Sequence, residues 1–254
     1  MIDLHCHFLP EIDDGAATLA EALALARAAV ADGILHAVMT PHIHAGVFEN
    51  RRSSIEAAVA GFRARLLEAR IPLRISAGGE VRIGAELMEL LEQGELPFLG
   101  ALGPDRVLLL ELPHGHIPVG ADRLVGWLRG RGIRPLIAHP ERNKDVMRSL
   151  DKIRPFVDAG CLLQVTAGSL TGRFGAQAQL RAREMLAQDW IFALATDAHN
   201  LEHRPPDLAA GCAAVATLAG AAQARVLTQL NPAQLLGLSV VMSEGQPTML
   251  PALS

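Results

Sequence analysis

Short, almost wholly apolar runs alternate along the chain with longer stretches in which apolar residues recur at helical spacing, the pattern of β-α units around a largely parallel sheet. Seven runs stand out: Ile2–Cys6, Ile34–Thr40, Leu73–Ala77, Arg106–Leu110, Arg134–Ala138, Cys161–Val165 and Trp190–Ala195. Most are too solidly apolar for strands with one wet face, so both faces are expected to be covered. The spacing between them predicts helices over Thr18–Asp32, Arg51–Ala69, Gly84–Gln93, Val119–Arg131, Lys144–Ala159 and Ala176–Gln188, then a helical stretch from Pro206 to Leu236. The first is the clearest, because Thr18 and Glu21 form a T-x-x-E capping box and Gly33 supplies the stop. Repeated β-α units without a Rossmann glycine fingerprint point to a barrel, with an open sheet as the alternative, and in a barrel functional residues collect past the C-terminal ends of the strands.

Composition sharpens this picture. The 254 residues, 50% hydrophobic and 20% charged, supply a substantial core and exclude intrinsic disorder. There is no repeat, low-complexity linker or composition break, so a single domain over residues 1–242 is expected, with 243–254, which holds Pro247 and Pro251, as a loose C-terminal tail. A net charge of -4, from 23 Lys+Arg and 27 Asp+Glu, gives no basic field for nucleic acid or an anionic membrane. The most apolar long window, Leu208 to Ala222, is rich in Ala and Gly and too short to span a bilayer, so no membrane insertion is expected. Asp3, His5 and His7 stand where a secretory signal needs a basic and then an apolar segment, which makes the cytoplasm the expected location. Cys6, Cys161 and Cys212 are an odd number without C-x-x-C spacing and read as small buried hydrophobes rather than a disulfide framework.

The candidate chemistry lies at the ends of the apolar runs. The first ends in His5-Cys6-His7, and strand alternation puts His5 and His7 on one face with Asp3, and Leu4 and Cys6 on the other. The second run is followed by His42 and His44, the third by Glu80, the fourth by Glu111, the fifth by His139, and the seventh by Asp197 and His199. Any one of these alone reads as a surface residue or a satisfied core imidazole; their joint placement reads as a metal centre. A set of imidazoles and carboxylates without thiolates suits Mn²⁺, Zn²⁺ or Fe, and it exceeds what one ion needs. The loop Glu11-Ile12-Asp13-Asp14-Gly15 adds carboxylates near His7, either as ligands or as an acidic turn before the Thr18 cap. Metals that activate water suit a phosphoryl substrate. Arg142, just beyond His139, and Arg204, just beyond His199, carry guanidinium groups of the kind that grips phosphate oxygens bidentately.

These residues resemble the polymerase and histidinol phosphatase (PHP) family of metal-dependent phosphoesterases, whose D-x-H-x-H opening stands here as Asp3-Leu4-His5-Cys6-His7. More closely, the chain resembles the bacterial tyrosine phosphatases encoded with capsular and extracellular polysaccharide machinery. The similar stretches are MIDLHCH, DDG at Asp13–Gly15, TPH at Thr40–His42, GGE at Gly78–Glu80, LLLELP around Glu111, IAHPER at Ile137–Arg142 and ATDAHN followed by HRPPD at Ala195–Asp207. The resemblance implies an α/β fold, a distorted (β/α)7 TIM-like barrel, holding about three divalent metal ions, usually assigned as Mn, with Fe or Zn as alternatives. It implies one metal held by His5, His7, Glu80 and Asp197, a second by Glu80, Glu111 and His139, and a third by Asp14, His42 and His199, so that Glu80 bridges two ions. Pattern alone does not separate Asp14 from the adjacent Asp13. The resemblance also places Arg142 and Arg204 at the substrate phosphate as catalytic residues. It implies a protein-tyrosine phosphatase whose partner is a phosphotyrosyl protein, a membrane-associated tyrosine autokinase of polysaccharide assembly. The chain has no tyrosine, so any substrate contact that relatives make through a tyrosine hydroxyl is missing, while Phe48 offers an aromatic face.

Two other chemistries fail on the sequence. A cysteine phosphatase needs an arginine six residues beyond its nucleophile, and those positions hold Ile12, Ala167 and Leu218. Around Ser169 the sequence Ala167-Gly168-Ser169-Leu170-Thr171 is not a G-x-S-x-G elbow. Two alternatives remain: a PHP phosphatase of a small metabolite such as histidinol phosphate, or a phosphotyrosine-binding regulatory domain without turnover. For the proton donor to the leaving group the candidates are His44 and His203, with an exposed loop position as the other reading for both and for His36, His114 and His116.

Overall fold

The computed structural model describes residues 1–243 and 246–250. Each of the seven apolar runs forms a strand: β1 (Ile2–Cys6), β2 (His36–Met39), then a short β3 (His42–Ile43), β4 (Arg74–Ala77), a short β5 (Glu80–Arg82), β6 (Gly100–Leu102), β7 (Asp105–Glu111), β8 (Ile133–Ala138), β9 (Leu162–Thr166) and β10 (Ile191–Ala195). Parallel pairing runs β1-β2-β4 in one sheet and β10-β9-β8-β7-β5-β3 in the other, with β6 antiparallel to β7. The second and third staves each break in two, at Thr40-Pro41 and Gly78-Gly79; Pro41 has no N–H to continue the ladder. The ring closes between β1 and the segment after β10, where Asp197 N–H donates to His5 O at 2.8 Å and His7 N–H to Ala198 O at 2.9 Å. The result is a distorted (β/α)7 barrel.

The helices are α1 (Leu19–Ala31), α2 (Arg52–Glu68), α3 (Glu86–Glu92), α4 (Ala121–Arg129), α5 (Lys144–Arg148), α6 (Arg154–Asp158), α7 (Ala167–Leu170), α8 (Ala176–Ala187), α9 (Leu208–Ala219), α10 (Ala221–Arg225) and α11 (Asn231–Leu235). At the start of α1, Thr18 accepts from Glu21 N–H as the capping box requires, but the Glu21 carboxylate reaches Ala17 N–H instead of Thr18 N–H. The single helix expected over Lys144–Ala159 is two, because Ser149 is extended and Pro155 starts a new turn. The stretch from Pro206 to Leu236 likewise divides at Gly220 and passes through a π-helical turn at Val226–Leu230. Ser239–Ser243 and Gln246–Leu250 pair antiparallel. The rest of the C-terminal tail, positions 244, 245 and 251–254, lies outside the described residues.

Apolar side chains form two buried clusters. The smaller gathers Ile2 and Leu4 of β1, Val38 of β2, Val107 and Leu109 of β7, Leu136 and Ala138 of β8 and Ala193 of β10, with Ala233 and Leu235 of α11. These are alternate residues of different strands, which is how a closed barrel fills its interior. The intervening residues, Leu108, Leu110, Ile137, Leu163, Val165 and Leu194, belong to the larger cluster shared with the helices. Leu4 and Cys6 fall in different clusters, contrary to strict alternation along β1. The reason is a register shift against β2 between Asp3 and Cys6. Among the described residues no helix is long and apolar enough to cross a membrane.

Candidate metal centre

Above the apolar interior, at the C-terminal ends of the strands, sits a layer of buried ionisable groups. His5, Glu80 and Asp197 are 0% exposed, His7 1%, Glu111 3% and His139 4%, a depth at which such groups need partners. The chain is held here in unusual backbone conformations: His139 has φ 32° and Asp197 φ 53°, both in the left-handed region that non-glycine residues seldom adopt. Gly15 has its own steric reason, since a Cβ there would sit 2.1 Å from His7 O; only glycine lets the Asp13-Asp14 loop come this close to β1.

The donor atoms fall into three groups that share members. His5, His7, Glu80 and Asp197 bring ligand atoms within 4.8 Å of one another, as do His7, Asp14, His42 and His199, and again His42, Glu80 and Glu111. His139 Nε2 lies 2.7 Å from Glu80 Oε1, and so touches the third group through the shared carboxylate. Asp13 and Asp14, indistinguishable in sequence, separate here. Asp14 Oδ1 lies 3.2 Å from His42 Nε2 and 3.3 Å from His199 Nε2. Asp13 turns the other way, accepting from His7 Nδ1 at 2.7 Å and from the His42 backbone N–H at 3.1 Å, a contact that fixes the tautomer and orientation of the His7 ring.

Orphaned atoms test whether these residues suit a cation. Glu80 Oε2, Asp197 Oδ1 and His199 Nε2 are buried and have no hydrogen-bond partner. Yet Glu80 Oε2 lies 2.8 Å from His42 Nδ1 and 3.3 Å from His5 Nε2, and Asp197 Oδ1 lies 3.3 Å from both His5 Nε2 and His7 Nε2. The atoms are close but out of line for bonding to one another, as lone pairs are when they converge on common points. Imidazole nitrogen and carboxylate oxygen with no thiolate in reach is a donor set for a borderline or hard divalent ion. The clusters suit metal binding.

Electrostatics in the cluster is tightly interlocked. Burial opposes the His5 cation, but Glu80 and Asp197 overcome it and raise that imidazole to about 9. His42, partly buried, is raised to about 11 by Asp14 and Glu80 against the cost of its desolvation. In return Glu80 and Asp197, despite burial, are held well below the usual carboxylate range, His5 being the largest charge acting on each. Burial and then the neighbouring Glu80 push Glu111 up to about 7, against the pull of Arg82 at 2.6 Å. Burial and the Arg142 cation lower His139 to about 3. His5 and His42 thus hold Glu80 and Asp197 in the charged state and are held charged in return, and divalent ions replacing those protons would serve the same carboxylates.

Arg142 and Arg204 both donate to Asp197 Oδ2, the oxygen that faces away from the imidazoles. Arg204 lines a cavity of about 210 Å³ together with Asp14, His42, His44, Phe48, Arg82, Glu111, His114 and His139, while Arg142 lies behind its wall, 3.3 Å from His114 Nε2. Phe48 stacks on His42 with ring centroids 5.6 Å apart. A neighbouring cavity of about 440 Å³ shares His44, Phe48 and Arg82 as walls. His114 is an exposed loop residue, as read from sequence, and also stacks on His139 at the mouth of the centre. His36, given the same reading, is buried in β2 against Ser76. His203 is far out, 85% exposed beside Glu202. Sequence reasoning passed over Gln164, whose Oε1 faces His5 Nδ1 at 2.9 Å, and Arg82. Gln164 occupies a strand run without any other polar residue before Thr166, and that was the available signal.

The fold and site together define a barrel protein built around a buried His/carboxylate centre suited to divalent metals. Residues 1–237 match the family described as capsular polysaccharide synthesis, CpsB/CapC, and the chain belongs to that family. The tyrosine-protein phosphatase YwqE of Bacillus subtilis (strain 168) is 37% identical over 204 residues, 80% of this chain and 79% of the relative. The tyrosine-protein phosphatase CpsB of Streptococcus pneumoniae is 29% identical over 245 residues, 93% of this chain and 98% of the relative. A solved structure described as belonging to YwqE and CpsB, unique metal-dependent tyrosine phosphatases, superposes with TM-score 0.87 at 33% identity, covering 98% of this chain and 99% of the other. The organophosphorus hydrolase of Deinococcus radiodurans shares the fold, with TM-score 0.55 at 15% identity over 93% of this chain and 92% of that one.

Proposed function

We propose that this protein is a metal-dependent protein-tyrosine phosphatase acting on a phosphotyrosyl protein, the tyrosine autokinase of polysaccharide assembly being the natural substrate, in the cytoplasm. The observation that carries this reading is the set of overlapping donor groups with orphaned Glu80 Oε2, Asp197 Oδ1 and His199 Nε2 at their centre, rimmed by two arginines. We assign a trinuclear centre: His5, His7, Glu80 and Asp197 for one ion; Glu80, Glu111 and His139 for a second; Asp14, His42 and His199 for a third, with His7 and His42 shared at the boundaries. Mn²⁺ is the proposed ion, with Fe or Zn as the alternatives the donors also suit. When bound, such ions supply Lewis-acid charge and bring the pKa of coordinated water toward neutrality.

The chain's own groups do the rest. Arg142 and Arg204 both donate to Asp197 Oδ2, so a phosphoryl group at the mouth meets two guanidinium forks held on one carboxylate oxygen, whose charge matches what develops on its own oxygens. Their anchorage on a fully buried carboxylate limits reorganisation during the reaction. The Phe48 face beside His42 offers a stacking surface for a phenyl ring. His44 lines that wall and is the better placed of the two candidate donors for a phenolate of pKa about 10, His203 being out in solvent. The deciding experiment measures phosphate release from a phosphotyrosyl peptide with Mn²⁺ and after chelation, beside histidinol phosphate at equal concentration. Metal-dependent turnover of the peptide is expected. Preference for histidinol phosphate would move the role to small-molecule metabolism, and reaction with neither would overturn the assignment.

A further inference from the structure

One strand end of the barrel carries no candidate ligand: β9 runs into Thr166 and the four-residue α7, all of it buried. Its neighbours explain why the position is nonetheless polar. Thr166 N–H and Ser169 Oγ both donate to Glu141 Oε1, at 3.0 and 2.7 Å, and Glu141 is a fully buried carboxyl adjoining Arg142 in sequence. Four residues past α7, Phe174 lies beneath the Arg142 guanidinium at 4.3 Å from its ring centroid. Between them Arg173 reaches the other way, donating to Asp207 Oδ2 at 2.6 Å and to His203 O at 3.4 Å, on the loop that carries Arg204. The segment itself is clamped from behind. A Cβ at Gly211 of α9 would meet Ala167 Cβ at 2.6 Å, and Gln179 of α8 donates to Leu170 O at 2.9 Å.

We infer that Thr166–Phe174 is a positioning element that holds both phosphate-gripping arginines, Arg142 through Glu141 and Phe174, and Arg204 through Arg173. The inference rests on the reading that these arginines face the substrate phosphate. A barrel with ligands at its other strand ends uses this one to fix the angle between two guanidinium forks, a geometry that a small displacement spoils. Ser169, which fails as a nucleophile on its sequence context, gains a role as the hydroxyl that anchors the Arg142 turn.

The test uses the full chain loaded with Mn²⁺ and inorganic phosphate as the probe, with phosphotyrosine turnover alongside. Ser169→Ala and Arg173→Gln are each expected to raise the phosphate Kd about tenfold and to lower phosphotyrosine kcat/KM by at least as much, while leaving Mn²⁺ affinity unchanged. Glu141→Gln keeps the Oε1 acceptor and is expected to retain phosphate affinity; Glu141→Leu is expected to lose it. In an Arg142→Ala background Ser169→Ala is expected to add less than about twofold, because its effect passes through the missing side chain. A fully additive loss in that background, an unchanged phosphate Kd, or a fall in Mn²⁺ affinity in step with phosphate affinity would overturn the inference. Should Ser169→Ala fail to fold, the partly exposed Arg173→Gln against Arg204→Ala decides by the same cycle. Wild-type protein that binds phosphate but hydrolyses no phosphotyrosine would sink the substrate assignment while leaving these phosphate-binding outcomes to judge the positioning role.

Discussion

Leu109 and Glu111 stand two residues apart on β7, share a face by alternation and are both buried, yet they belong to layers governed by different physics. Leu109 sits among Val38, Val107, Leu136 and Ala193 in contacts that have no direction and many substitutes. Glu111 sits among Arg82, Glu80 and His42, where each oxygen has few acceptable partners. A similar change from apolar to ionisable falls between adjacent residues at Leu4 and His5 on β1 and at Ala138 and His139 after β8. The lower layer stabilises the barrel by area; the upper layer is a cost in desolvation that only specific chemistry repays. Substitutions in the two layers should therefore separate stability from activity.

The largest effect is expected at Asp197, the one carboxylate shared by a metal group and both arginines. Asp197→Ala should lower kcat/KM for a phosphotyrosyl peptide by about 10³-fold or more; a variant that stays folded, binds the peptide and turns it over near the wild-type rate would break the comparison. Next comes the lower layer: Leu109→Ala should cost about 2–5 kcal/mol in denaturant unfolding, with turnover per folded molecule within about threefold of wild type. At Gln164, which orients His5 from outside the donor set, substitution by Leu should weaken metal binding about 10–100-fold without a comparable loss of stability. Isothermal titration of Mn²⁺ would show it.

The smallest effect is electrostatic and lies away from both layers. Burial, then Arg74 and Arg63, lower the His36 imidazole to about 4 from its ordinary 6.5. The unfolded chain therefore takes up a proton at His36 before the folded one does, so this contribution to stability is complete above pH 6.5 and is lost as pH falls toward 4. His36→Asn should flatten part of the decline in metal-free unfolding free energy over that range. Some slope should persist, since His139 and His199 are lowered as well, to about 3 and about 4. An unchanged slope would contradict the assignment.

The layers also differ in how far the chain reveals them. Strand positions of the lower layer follow from runs such as Arg106–Leu110 and Arg134–Ala138, because a parallel barrel strand buried on both faces needs continuous apolar residues and shows them locally. Most of the residues brought together above it were legible for the same reason, lying at or just past the ends of such runs; Asp14, in the loop after His7, was not separable from Asp13 by pattern. Their supports were not. Gln164 on His5, Arg82 on Glu111 and Glu141 on Ser169 are contacts between residues distant along the chain, fixed by barrel closure rather than by any local pattern, and even the nearby Asp13 could not be told from Asp14 until the loop's turn onto His7 was seen. The same holds for the bulge in β1, which moves Leu4 and Cys6 to different clusters although their spacing alone puts them on one face.

The most direct test of the whole account is a titration of metal-stripped protein with Mn²⁺ in which bound metal and phosphotyrosyl-peptide turnover are followed together. Turnover is expected to be absent at the start, to rise with occupancy and to saturate at about three ions per chain, and Asp197→Ala is expected to abolish the rise. Full turnover in the stripped protein, or full occupancy without turnover, would contradict it.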